Sequence, residues 1–175
     1  IPPSFNPIAR RASEWTRKML DPAMHKQLMA FKTVKAKREL WERFLRLPRM
    51  FEHDGMLFFH DTPLEPGSSK YVRSVNDAQK VFKKYPACDV FFIGHSHLPR
   101  IFLGDDIIIP DPGRFYPFDQ KMIVNVGSIG QPRDRDRRSC YVVLEKTGFR
   151  YFRIPYDVEA SVKKILAIAD LDNFL

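Results

Sequence analysis

Three of the five histidines stand in short polar segments that each follow an apolar run. His60 follows Met56-Leu57-Phe58-Phe59, and His95 and His97 fall in Gly94-His95-Ser96-His97 after Val90-Phe91-Phe92-Ile93. Imidazole is a common ligand for transition-metal ions. Residues two apart in extended backbone are separated by roughly 6.6 Å and point the same way, so one ion could hold both His95 and His97 only on a bent chain. Gly94 is the residue expected to permit that bend. Two ions about 3.5 to 4 Å apart could take one imidazole each, the separation used by two-metal sites that cleave phosphoesters. Ordinary surface-loop histidines are the bland alternative, and His60 at a second strand end weighs against it. A third polar exit, Gly127-Ser128-Ile129-Gly130-Gln131-Pro132-Arg133, follows the run 122–126. Its N–H groups and the Ser128 hydroxyl suit an anion, with Arg133 as a phosphate fork. A plain glycine turn leading into the solvated charge run 133–138 is the competing reading. Asp61 is the acidic residue next to a candidate ligand and is expected to serve the turn or to orient His60.

The elements that must position these residues follow from pattern. Three unbroken apolar runs, 56–59, 90–93 and 122–126, read as strands buried on both faces. Their polar exits lie at C-terminal ends, where open α/β sheets place ligands. Ser74 to Tyr85 reads as a helix, and 140–145 with 149–155 as a hairpin turning at Thr147-Gly148. Asn6-Pro7 and Asp21-Pro22 are helix-start signals, the second opening a long basic helix that Pro48 ends; Asp157 opens a last helix through Ala169. The expected class is α/β, one domain over 1–175 containing a helical segment over 7–48.

The chain has 175 residues, 29 Lys plus Arg against 21 Asp plus Glu, a formal charge of +8 and 44% hydrophobic residues. Such a composition excludes intrinsic disorder, and a chain of this length typically buries about 70% of its unfolded surface. No run approaches the roughly 18 apolar residues of a membrane span and the start has no signal pattern, so a cytoplasmic protein without a membrane partner is expected. Cys88 and Cys140 are too far apart for a zinc knuckle and read as reduced packing thiols. The positive balance suits polyanions, and Lys32 to Arg49 interleaves basic residues with Phe31, Trp41 and Phe44. Those aromatics fall on the apolar side of the helix, which favours core packing over base stacking.

Taken in order, Phe58-Phe59-His60-Asp61-Thr62-Pro63, Phe92-Ile93-Gly94-His95-Ser96-His97 and Val124 to Asp134 resemble the C-terminal half of a bacterial calcineurin-like metallophosphoesterase, most closely the phosphodiesterase branch. Phe5-Asn6-Pro7 with Trp15-Thr16, and Tyr156 to Ala160, extend the resemblance over most of the chain. It implies a portion of a β-sandwich flanked by helices, with His60 and His95 on one divalent transition-metal ion (Mn, Fe, Zn or Ni) and His97 on a second. The family's Asp-x-His, Gly-Asp-x-x-Asp and Gly-Asn-His-Asp motifs do not occur here. The bridging aspartate, the asparagine ligand and the histidine general acid are therefore expected outside this chain, which carries no catalytic residue of its own. Asp61-Thr62 replaces the family's usual Gly-Ser. The implied activity is phosphoester hydrolysis at a two-metal site with a phosphoester substrate; a nucleic-acid-binding module and an inactive scaffold of the same fold are the alternatives.

Overall fold

The computed structural model describes residues 6–21, 23 and 31–168, without the side chains of 31–34 and 37. In chain order these form α1 (Pro7–Leu20), α2 (Phe31–Leu45), β1 (Met50–His53), β2 (Met56–Phe59), α3 (Val75–Lys84), β3 (Val90–Ile93) and β4 (Arg100–Phe102). There follow β5 (Ile107–Ile108), β6 (Phe115–Pro117), β7 (Met122–Asn125), β8 (Ser139–Glu145), β9 (Gly148–Ile154) and α4 (Val158–Leu166). The expected helix start at Pro22, the side chains of Phe31 and Lys32, and the expected helix end at Ala169 lie outside the described residues.

The expected single domain comprises two compact units, one drawn from 1–48 with 157–175 and the other spanning 49–156. In the first, the Asn6 side chain accepts the N–H groups of Ile8 at 2.8 Å and Ala9 at 3.0 Å, capping α1 as its sequence predicts. Asp157 caps α4 by accepting the Ala160 N–H at 2.8 Å. Neither α1 nor α4 buries a residue completely.

The second unit holds the core. Its larger sheet runs β1-β2-β3-β7-β4-β5, with β2, β3 and β7 parallel and the others antiparallel to their neighbours; the smaller sheet runs β6-β9-β8. Period-two alternation sends Leu57, Phe59, Phe91, Ile93 and Ile123 to one face, where Ala78 and Val81 of α3 cover them. Val90, Phe92, Met122 and Val124 face the other way, onto Tyr116, Cys140, Phe149 and Tyr151 from the smaller sheet. The central strands β3 and β7 are buried at all four positions. In β2, expected to be buried on both faces, Met56 and Phe58 are only half-buried because three strands cannot cover six. Strands β1, β4, β5 and β6 leave no mark in the sequence pattern, each being too short or too exposed to show a period. No described helix is long and apolar enough to cross a membrane.

Candidate functional site

Because β2, β3 and β7 are parallel neighbours, their C-terminal exits meet on one edge of the larger sheet. His60 leaves β2, the segment 94–97 leaves β3, and 126–133 leaves β7. Backbone bonds lace the exits together: the Gly94 N–H donates to the His60 carbonyl at 3.0 Å and the Val126 N–H to the Ile93 carbonyl at 2.9 Å. Asn125, only 1% exposed, is the hub. Its Nδ2 donates to the Gly94 carbonyl at 2.7 Å and to Ser96 Oγ at 2.8 Å, and its Oδ1 accepts the Gly127 N–H at 3.1 Å. A buried amide is retained only when its donors and acceptors are matched, and here they are. An asparagine closing the apolar run Met122-Ile123-Val124 is the one sequence signal that could have revealed it.

The bend after β3 differs from the expectation. Gly94 does not adopt positive φ; the turn is made by the histidines themselves, His95 at φ 62° and His97 at φ 59°, with the Ser96 N–H closing onto the Gly94 carbonyl at 2.7 Å. Left-handed backbone costs a residue with a Cβ roughly 1 to 2 kcal/mol, so the strain is stored on the candidate ligands. The two rings consequently reach separate loops. His95 lies 2.9 Å through Nε2 from the Ser69 carbonyl and stacks on Tyr71, centroids 4.3 Å apart at 13°. His97 lies 2.8 Å through Nδ1 from the Gln131 carbonyl. A carbonyl only accepts, so each contacting nitrogen carries the proton, and a neutral ring then keeps its lone pair at Nδ1 of His95 and at Nε2 of His97. The His60 ring stands edge-on to His95, centroids 5.1 Å apart.

Electrostatics hold His60 and His97 short of positive charge. Burial lowers the His60 pKa, repulsion from His95 adds to that, and Asp61 opposes it. Accessible area leaves His60 open at the rim, so the depression is a bias toward the neutral ring and not a lock. Burial also lowers His97, with the Gln131 carbonyl opposing and Arg133, His60 and His95 reinforcing. Neutral imidazole is the form that binds a metal ion.

The β7 exit lies beside His97: the Arg133 N–H donates to the His97 carbonyl at 3.2 Å and Arg133 Nη2 to Gln131 Oε1 at 3.2 Å. Ser128 Oγ accepts the Gln131 N–H at 2.9 Å, closing the turn. The loop is anchored by an ion pair between the largely buried Arg153 and Asp134. Asp61 does not orient His60. It is 6% exposed, and Oδ2 accepts the N–H of Gly67 at 2.9 Å and of Ser69 at 3.0 Å. The carboxylate is consumed by the loop that follows it.

Among the described residues no three His, Cys, Asp or Glu side chains gather into a group that could hold a metal ion. The residues present offer imidazole nitrogens but no free carboxylate to offset a divalent charge, so they fit one part of a metal site and not a whole one. A cavity of about 760 Å³ opens elsewhere, at the N-terminal ends of β2, β3 and β7, and touches none of these histidines. Cys88 and Cys140 are free and buried, and burial raises both thiol pKa values, as packing residues require.

No family model matches the sequence. The chain is 32% identical over 81 residues to an uncharacterized protein of Methanocaldococcus jannaschii, a stretch covering 45% of this chain and 33% of that protein. Its fold resembles a metallophosphoesterase from Sphaerobacter thermophilus, with a TM-score of 0.68 and 23% identity over 97% of this chain and 65% of the other. It also resembles a hypothetical protein of Pyrococcus horikoshii, with a TM-score of 0.55 and 16% identity over 87% of this chain and 62% of that one. The chain thus spans about a third of the curated relative and under two thirds of either solved structure. The mixed α/β architecture with two sheets is structurally similar to that of the Sphaerobacter thermophilus metallophosphoesterase.

Proposed function

We propose that this chain forms part of the active site of a metal-dependent phosphoester hydrolase, His60 and His95 binding one divalent ion and His97 a second. The observation that carries the reading is the convergence of imidazoles from adjacent parallel strand ends, with His60 and His95 centroids 5.1 Å apart and the backbone strained at His95 and His97. Strain of this kind persists where surrounding structure over-determines it and concentrates at functional sites. Bound ions would polarise the phosphoryl oxygens and make water a competent nucleophile. Arg133, exposed beside His97, supplies a fork for a phosphoryl oxygen, and the Ser128 hydroxyl, which accepts the Gln131 N–H, keeps its own proton to donate. The charge-balancing carboxylates and the general acid come from outside these 175 residues, since Asp61 is already committed.

Hydrolysis of a chromogenic phosphodiester by the full gene product tests this. The reading expects chelator-sensitive turnover and a kcat lowered by several orders of magnitude in His97→Ala, as water reverts from a pKa of about 7 toward 15.7. An active parent beside an unimpaired His97→Ala would overturn it. The 175-residue chain alone should show no turnover.

A nucleic-acid reading retains one observation: Phe44 is 53% exposed and stacks on Trp41 at 5.9 Å, where core packing was expected. If α2 binds a polyanion, replacing Lys35 and Arg38 will flatten the salt dependence by about 0.9 per lost phosphate contact, and His97→Ala will be silent.

A further inference from the structure

The sequence offers Asp61 as a neighbour of His60, yet its carboxylate turns to a loop eight residues on. That loop is conformationally demanding. Gly67 sits at φ 86° and Ser69 at φ 60°, and a Cβ on Gly67 would fall 2.5 Å from Arg49 Nη1. The buried Asp61 Oδ2 accepts both N–H groups, Gly67 at 2.9 Å and Ser69 at 3.0 Å, which holds two left-handed residues in register. The same loop makes two of the three described contacts to the His95 ring, His60 making the third. The Ser69 carbonyl meets Nε2 at 2.9 Å, and Tyr71 stacks on the ring at 4.3 Å, itself covered by the Arg73 guanidinium at 3.9 Å.

We propose that Asp61 is a positioning residue for His95. By clamping 67–69 it sets the Ser69 carbonyl and the Tyr71 ring, and these hold the imidazole with Nε2 protonated and Nδ1 as the lone-pair nitrogen. An anionic acceptor makes stronger hydrogen bonds to backbone N–H groups than a neutral one does, which suits a clamp on strained backbone. The inference rests on the metal-site reading only in its consequence, that Nδ1 is the atom His95 offers to an ion. The clamp itself is a property of the metal-free chain.

Long-range ¹H–¹⁵N NMR of the 175-residue chain reads the clamp directly. Wild type should show His95 protonated at Nε2, that proton protected from solvent exchange, and ring signals shifted by Tyr71. Asp61→Ala should lose the protected proton and the shift. Asp61→Asn should restore both, since its side-chain oxygen can still accept two N–H groups. Ser69→Val, which leaves Asp61 intact but places a β-branched residue at positive φ, should lose them too, and Ser69→Gly should keep them. Titration with Co²⁺ alone then tests the consequence: Asp61→Ala should bind about 10- to 100-fold more weakly than wild type, as loss of a ligand-orienting partner typically does, and Asp61→Asn should stay near wild type. A protected Nε2–H in folded Asp61→Ala, or in Ser69→Val if Asp61→Ala does not fold, would overturn the proposal. Absence of Co²⁺ binding in every variant, with the NMR pattern intact, would overturn the consequence drawn for Nδ1 in this chain and leave the clamp standing.

Discussion

The two ends of the parallel strands β2, β3 and β7 are built on opposite principles. At the C-terminal end the backbone is strained at His95 and His97, a buried asparagine is fully hydrogen-bonded, and His60 and His97 are held toward neutrality. At the N-terminal end a cavity of about 760 Å³ is ringed by Asp54, Asp89, Asp119 and Glu145 with Lys121 and Lys146. Lys121 there is tied to the Tyr85 carbonyl at 2.8 Å and the Pro86 carbonyl at 3.0 Å. Concavity and chemistry have separated. Pockets are the usual guide to a site; the proposed one is marked instead by stored strain and matched buried polar groups, both of which cost stability unless something else retains them.

The largest expected effect comes from removing the hub of the strained end. Asn125→Leu would orphan the Gly127 N–H, at about 1 to 3 kcal/mol, and remove one hydrogen bond each, at about 1 kcal/mol, from the Gly94 carbonyl and Ser96 Oγ, which keep the N–H groups of Ser96 and Leu98, so it should destabilise the fold by about 3 to 5 kcal/mol. Urea unfolding measures this; a loss below about 1 kcal/mol would mean the exits are held by something else.

A matched glycine pair sharpens the contrast. Gly127 at φ 81° would place a Cβ 2.8 Å from Cys140 Cβ and Sγ, whereas Gly55 at φ 73° has open space at the cavity end. Gly127→Ala should cost about 2 to 4 kcal/mol, combining left-handed strain with overpacking, and Gly55→Ala only the strain, about 1 to 2 kcal/mol. Equal costs at the two ends would break the comparison.

Strain on the proposed ligands gives a smaller signal of unusual sign. His97→Gly should be more stable than His97→Ala by about 1 kcal/mol, the reverse of the usual order, because glycine accepts φ 59° without penalty.

The weakest effect is on pH dependence. His60 and His97 have folded pKa values below 6.5, so the unfolded chain takes up protons first on acidification. Their contribution to stability is present above 6.5 and is lost as pH falls through the lowered folded values. Asp136, held at about 2 by hydrogen bonds from Arg138, acts with the same sign from its ordinary 3.8 downward. The urea midpoint should therefore fall between pH 7 and 5, less so in a His60→Gln, His97→Gln double variant. A midpoint that rises over that interval would contradict the account.

Much of this arrangement was legible in the residues. Unbroken apolar runs ending in His60, in Gly94-His95-Ser96-His97 and in Gly127 to Arg133 marked three buried strands and put their exits together, because parallel order follows from the crossover that α3 provides between β2 and β3. What the sequence hid was relational. Nothing local distinguishes a glycine that bends from histidines that bend beside it, and Tyr71 reaches His95 only through a loop whose path depends on Asp61. For Asp61 the sequence left two roles open, serving the turn or orienting His60, and only the two N–H donors that the folded loop delivers decide for the turn.

The central claim is that the strained edge, and not the acidic cavity, is the metal-binding end. Paramagnetic Co²⁺ added to the ¹⁵N-labelled chain tests it most directly, since imidazole attracts this ion more specifically than scattered carboxylates do. The account predicts weak binding, with amide perturbations centred on residues 60 and 94–97 and abolished in a His60→Ala, His95→Ala double variant. Perturbations centred instead on Asp54, Asp89 and Asp119, unchanged in that variant, would contradict it.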